Sequence, residues 1–324
     1  MKNEFFIQKY IFFLSLISSI LICFSSNSFL MMWMSMEINL FSVIPMISMN
    51  QKFFSEKSTM LYFLIQGISS SLTLLAISMN LEDMKSMKLL ILFLSIFMKL
   101  GMFPFHFWMI STIEGMTWEM AFILMTIQKM IPMIILMQII QKKMMIMFCL
   151  LNSMIAALSG ITMFSMRKIM GFSSINHLSL MLIGLSISHS TFMTYFMIYS
   201  LMTYSATKMM EKMNVNFIFQ TLSNIKFNKT NNLILMITFL SMAGIPPLLG
   251  FMPKVMIISI MMKSEMFLTT LTILVLNTLS TFFYMRMCIN NIIMNMNCYK
   301  MMKFKKTMEF PLYMMFTPFL MMLN

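Results

Sequence analysis

The sequence is short of charge. Only 10% of its 324 residues are Asp, Glu, Lys or Arg, and ten of those are acidic. A soluble domain carries about a quarter charged residues. There is too little charge here to cover a water-facing surface, which excludes an ordinary soluble enzyme. Cysteine is scarce as well. Cys23, Cys149, Cys288 and Cys298 make no CxxC and no metal-ligand spacing, so no zinc or iron–sulfur site is expected, and they read as apolar or loop residues. No Gly-rich phosphate loop and no haem motif occurs. Alanine and valine number only six and four.

What is present is apolar. Hydrophobic residues make up 59% of the chain, with 52 Met and 33 Phe, and the mean hydropathy is +0.84. The apolar runs are continuous and lack two-residue alternation, so they read as helices rather than barrel strands. The fold class expected is an all-α integral membrane protein. A crossing takes about 20 residues, which predicts eleven spans near 5–24, 28–49, 58–79, 87–108, 117–140, 144–165, 168–188, 190–211, 231–262, 265–288 and 309–323. They form one membrane domain over 1–324, with little chain left for anything outside the bilayer. Lys2 and Lys9 before Tyr10–Phe24 could suggest a signal peptide. No small-residue cleavage site follows, so this segment is read as the first span.

The net charge of +13 is assigned to loop lysines, not to nucleic-acid binding. With eleven spans, fifteen basic residues fall on the side of the N-terminus. Only Lys85, Lys88, Lys142, Lys143 and Lys263 fall opposite. By the positive-inside rule the N-terminus faces the cytoplasm or matrix and the C-terminus the other side. Trp33, Trp108 and Trp118 near span ends read as interface anchors, and His106 and His189 as loop or interface residues.

Three lysines do not fit this pattern. Lys99, Lys129 and Lys254 lie within spans, as does one acid, Glu37. A mid-membrane charge costs roughly 2.5–3.5 kcal/mol, so four cost on the order of 10 kcal/mol, comparable to the stability of a domain. Snorkelling relieves charges near span ends, but Lys99 and Lys129 sit about twelve residues deep. Glu37 is the acid within the spans that can pair with one of the lysines. A lysine whose carboxylate partner moves away takes up or releases a proton, which is the physics of a relay.

Breakers accompany two of the lysines. Span four has Lys99, then Gly101 and Pro104. Span nine has Gly244, Pro246, Pro247, Gly250 and Pro253, then Lys254. The two spans are five crossings apart and the order of lysine and breaker is reversed. This is the pattern of inverted five-helix repeats, about 5–140 and 144–288, followed by a terminal helix at 309–323, with the broken helices at the transport site. The repeat aligns Glu37 in span two with His177 in span seven. His177 is flanked by Ser173, Ser174 and Asn176, and histidine titrates nearest neutrality of the common side chains. It is a candidate relay group or a histidine satisfied by those neighbours.

Met, Phe, Ile, Asn and Lys are abundant while Ala, Val, Gly and Pro are few. An AT-rich gene gives that bias. It gives so many methionines when a codon that normally means Ile is read as Met, as in the mitochondria of many animals. The methionines are flexible apolar filler rather than a metal site.

Five stretches carry a resemblance: MEINLFSVIPM around Glu37, KLGMFPFHFW around Lys99, QKMIP at Gln128–Pro132, MGFSSINHLSLM around His177, and GIPPLLGFMPK ending at Lys254. In this order they resemble the NADH dehydrogenase subunit 2 family, antiporter-like membrane subunits of mitochondrial respiratory complex I. The resemblance covers essentially the whole chain and implies eleven helices. It implies Glu37 and Lys99 as a coupled pair, Lys129 as the central lysine and Lys254 as the exit-side lysine. It implies that NADH, FMN, iron–sulfur clusters and ubiquinone belong to other subunits. The expected partners are the other membrane-arm subunits and the lipids of the inner mitochondrial membrane, cardiolipin among them, with the N-terminus in the matrix and the C-terminus in the intermembrane space. After HFW the family usually has a proline and a glutamate; here stand Ile110 and Ser111, with Glu114 nearby.

Two lesser signals remain. Asn228-Lys229-Thr230 is a glycosylation sequon that a matrix loop would never expose to the enzyme. The basic, Asn-rich loop Asn290–Thr307 suits anionic lipid or a neighbouring subunit. A free-standing cation/proton antiporter and a structural spacer that has lost pumping are the alternative readings. The missing intramembrane Asp pair argues against the first. The retained buried charges argue against the second.

Overall fold

A computed structural model describes residues 2–49, 53–79, 85–139, 142–220 and 229–295. Its regular elements there are helices: α1 Lys2–Ser25, α2 Phe29–Ser48, α3 Phe53–Ser78, α4 Lys85–Leu100, α5 Phe107–Gly115, α6 Trp118–Met125, α7 Ile127–Gln138, α8 Lys142–Thr162, α9 Met166–Ile187, α10 His189–Met213, α11 Lys229–Ala243, α12 Phe251–Lys263 and α13 Phe267–Asn295. Among the described residues, seven stretches are long and apolar enough to cross a membrane. The expected span 309–323, Cys298, Asn228 and most of the loop Asn290–Thr307 lie outside the described residues.

The chain separates into two compact units, Met1–Gln141 and Lys142–Asn324. In the first, α7 packs against α1, α2 and α4, while α3 packs against α2, α4 and α5. In the second, α9 is the central helix, with every residue of its most apolar stretch buried against α8, α10, α12 and α13. A helix enclosed on every side must satisfy its polar groups inside the protein. Outer faces of α1, α3 and α13 expose large apolar side chains such as Leu14, Phe63 and Leu271, as a lipid-facing or partner-facing surface requires.

Serine and threonine are frequent inside these helices, and most return their hydroxyl to a carbonyl three or four residues back. Ser35 donates to Met32, Ser69 to Gln66 and Thr207 to Thr203, at 2.6, 2.7 and 2.9 Å. The bond keeps a polar group satisfied where water is absent. Arg286 of α13 works similarly: its guanidinium donates to the Ile161 and Met163 carbonyls at the end of α8 and lies over the Phe164 ring.

Span 87–108 is broken after Lys99, as Gly101 and Pro104 predict. α4 stops at Leu100 and a separate helix, α5, starts at Phe107. Span 117–140 is interrupted at Thr126 between α6 and α7. The long span 231–262 is broken, as its glycines and prolines require, into α11 and α12.

Candidate functional site

In the first unit, α2, α3, α4 and α7 bring polar side chains to one buried cavity. It has a volume of about 20 Å³, and its lining includes Asn39, Tyr62, Gln66, Lys99, Gln128 and Lys129. One water needs roughly 10–15 Å³ measured this way, so the space suits about one. Lys99 and Lys129 are 8% and 2% exposed. The same lining holds a neutral network. The Tyr62 hydroxyl donates to Gln128 Oε1 at 3.1 Å, and Gln128 Nε2 donates to Asn39 Oδ1 at 2.8 Å. The helix is irregular on both sides of Lys129. Thr126 interrupts it, and Pro132 has no N–H for the Gln128 carbonyl. Glu37 is half-buried on α2, within electrostatic reach of the Lys99 ammonium. No salt bridge joins the two among the described residues.

Lys99 sits where α4 ends. The Met102 N–H donates to the Phe97 carbonyl at 3.0 Å and the Gly101 N–H to Met98 at 3.2 Å. This is a Schellman stop, which needs a residue in left-handed conformation, and Gly101 supplies it with φ +66°. The stop leaves the Lys99 carbonyl without a donor from the helix, and the Gln66 amide takes it at 3.4 Å; the Trp108 indole N–H adds a second bond to the Met98 carbonyl at 2.9 Å. Lysine in the last turn is also favoured by the helix dipole.

In the second unit α11 ends in the same way. The Ile245 N–H donates to Leu240 at 3.4 Å and the Gly244 N–H to Ser241 at 3.0 Å, with Gly244 at φ +78°. Here the carbonyls left over belong to Met242 and Ala243. Lys254, in the first turn of α12, reaches back across the break and donates to them at 3.4 and 2.6 Å. A lysine in a first turn is unfavourable to its own helix dipole; capping the preceding helix reverses that. His177 lies on α9, 1% exposed, with Nδ1 2.8 Å from the Tyr195 hydroxyl of α10.

Two broken helices, each with a buried lysine at its break, match the pattern of membrane transport proteins. The family model for the transmembrane part of NADH:quinone oxidoreductases and Mrp antiporters matches residues 26–283. The chain belongs to this family. NADH-ubiquinone oxidoreductase chain 2 of Anopheles gambiae is 34% identical over 298 residues, covering 89% of this chain and 87% of that one. The protein of the same name from Coturnix japonica is 33% identical over 300 residues, covering 88% and 86%. The fold is similar to a chain in respiratory complex I from Thermus thermophilus, with TM-score 0.79 at 17% identity over 88% of this chain and 70% of that one. It is also similar to a chain of the Mrp complex from Dietzia sp., with TM-score 0.74 at 11% identity over 85% and 59%.

Within this antiporter-family fold the structure brings Lys99 and Lys129 to one cavity and places Glu37 in electrostatic reach of Lys99. His177 and Lys254 are both in the second unit, one beside a tyrosine and one capping a helix. Trp108 is a correction. Read as an interface anchor, it is 6% exposed and caps α4. Inside, its indole N–H finds an acceptor in the Met98 carbonyl. Trp118 is likewise buried. The sequence reading missed Asn39, Tyr62, Gln66, Gln128 and the tyrosines around His177. Asn39, Gln66 and Gln128 were visible as costly polar residues inside apolar spans. Among the described residues no group of three or more His, Cys, Asp or Glu could hold a metal ion.

Proposed function

We propose that the chain is the chain-2-type membrane subunit of the NADH–ubiquinone oxidoreductase of the mitochondrial inner membrane, and that it translocates protons through Glu37, Lys99, Lys129, His177 and Lys254. Electron transfer happens on other subunits, which hold the NADH, FMN, iron–sulfur and ubiquinone sites. Its energy arrives in this chain as changed pairing or water access. Lys99 changes its partnership with Glu37, and Lys129 exchanges a proton with it through the shared cavity. His177 and Lys254 serve the second unit, Lys254 on the exit side. The N-terminus faces the matrix, and the two units are inverted repeats, in line with the reversed order of lysine and break.

The observation that carries this reading is the cavity. Two buried ammonium-bearing side chains share one water-sized space, lined by groups that both donate and accept hydrogen bonds. A spacer would gain stability by replacing them with Met or Leu. The likeness to relatives named as an oxidoreductase chain favours assembly in that complex over a free-standing antiporter.

The test is proton pumping per NADH oxidised in a complex carrying Lys129→Met, after a native gel establishes assembly. Assembled complex that pumps weakly supports the reading. Assembled complex with a normal ratio refutes a route through Lys129, and wild-type chain migrating alone on the gel points to a free-standing antiporter.

A further inference from the structure

Two of the chain's eight tyrosines pack on His177, and a third lies beside those two. Tyr195 and Tyr199 are one turn apart on α10, with ring centroids 6.0 and 5.1 Å from that of His177. Tyr284 of α13 lies within electrostatic reach of both. All four side chains are at most 1% exposed. This chain fills apolar space with phenylalanine, and Phe192 and Phe196 on the same helix do so. Three hydroxyls at this depth therefore need a reason beyond packing, because a buried hydroxyl is costly unless bonded. Ser173 and Ser174 of α9 donate to the Met170 and Gly171 carbonyls, both at 2.7 Å. Ser173 lies beside the Tyr284 hydroxyl and Ser174 beside that of Tyr199.

The contact that decides the chemistry is Tyr195 to Nδ1. A carbonyl or carboxylate there would lock a proton on Nδ1, and an ammonium would lock it off. A hydroxyl does neither. When Nδ1 is bare the Tyr195 O–H donates to it; when Nδ1 carries a proton the Tyr195 oxygen accepts.

We propose that Tyr195 is the positioning residue of His177, a hydroxyl that keeps the ring hydrogen-bonded in every protonation state and so lets His177 act as a proton carrier. The ring gains one proton and gives one up. Tyr195 turns its O–H and keeps its own proton. Tyr199 and Tyr284 with their serines line the place polar. This rests on the relay reading above. The buried titratable groups on the helices packed against α9 are Tyr195 and Tyr199, Tyr284 and Cys288, Cys149, and Lys254, with Glu211 and Arg286 half-buried.

The test uses the assembled complex with Tyr195→Phe, which keeps the ring and removes the hydroxyl. Tyr204→Phe, at an exposed position of α10, is the control. Pumping should fall about tenfold, the worth of one such bond, and the pH profile of pumping should be displaced. The control should change neither. A normal ratio and an unmoved profile overturn the inference. Lys99→Met is measured beside it. If that variant fails to pump while Tyr195→Phe pumps normally, only the role of Tyr195 is lost. If both pump normally, the relay reading itself falls. His177→Gln keeps a partner for the hydroxyl but carries no proton, so it decides the matter should the phenylalanine chain not assemble. Weak pumping supports the inference, and normal pumping refutes it.

Discussion

The breaks after α4 and α11 use one device with two different caps. Both helices stop in a Schellman turn on a glycine with positive φ. Both leave carbonyls that lipid cannot satisfy. After α4 the groups there are neutral: the Gln66 amide takes the Lys99 carbonyl, and the Trp108 indole reinforces the Met98 carbonyl that Gly101 already bonds. After α11 the Lys254 ammonium does so. In the first unit the lysine is thus spared structural duty and faces a cavity and a carboxylate. In the second the lysine is part of the helix end. Two lysines that look equivalent in sequence should therefore respond differently to the same substitution.

The largest effects are expected at the glycines. Each Gly→Ala adds roughly 1–2 kcal/mol for a left-handed side-chain-bearing residue. At Gly244 the new Cβ also lies 2.8 Å from both Cδ and Nζ of Lys254, displacing the cap. At Gly101 it meets Met109 Cβ at 2.9 Å. Yields of assembled complex on a native gel should drop for both and further for Gly244→Ala. Equal yields would mean that the second break does not depend on its lysine cap.

Next comes Lys254→Met. It leaves two buried carbonyls without their donor, at about 1–3 kcal/mol for each unsatisfied group. Thermal inactivation of the complex should move to lower temperature. Lys99→Met touches no cap and should leave that temperature close to wild type. A Lys254→Met complex as heat-resistant as Lys99→Met would erase the contrast.

Trp108→Phe should cost about 1 kcal/mol, the net worth of the lost indole bond. It serves as the structural counterpart of Lys254→Met in the first unit: slightly lower heat resistance with pumping per NADH retained. The smallest effect belongs to Tyr62→Phe, which removes one donor from Gln128 in a network that keeps its Asn39 bond. Stability should hardly change. A modest slowing of pumping would show that the network orders the cavity.

Much of this was legible in the sequence because it violates the sequence's own rule. A lysine, a glutamate or a glycine–proline cluster stands out against long apolar runs, so Lys99, Lys129, Lys254 and Glu37 could be named at once. The central helix α9, expected over 168–188, runs Met166–Ile187. The separation of α4 from α5 was legible in Gly101 and Pro104, although Phe103, Phe105, Phe107 and Trp108 carry hydrophobicity straight through the break. Thr126 gave no signal because threonine is common inside these helices. The tyrosine cluster could not be read at all. His177, Tyr195, Tyr199 and Tyr284 are scattered over three helices, and only their packing joins them. The role of Lys254 as a cap was equally hidden, since it depends on a side chain folding back across the break.

The measurement that goes most directly to the centre is proton pumping per NADH oxidised in assembled complex carrying Lys99→Met. The prediction is a complex that forms in normal amount, resists heat like the wild type and pumps far fewer protons. Normal pumping by that complex would contradict it and make Lys99 a tolerated charge. Failure to assemble would contradict the claim that the cap of α4 stands without its lysine.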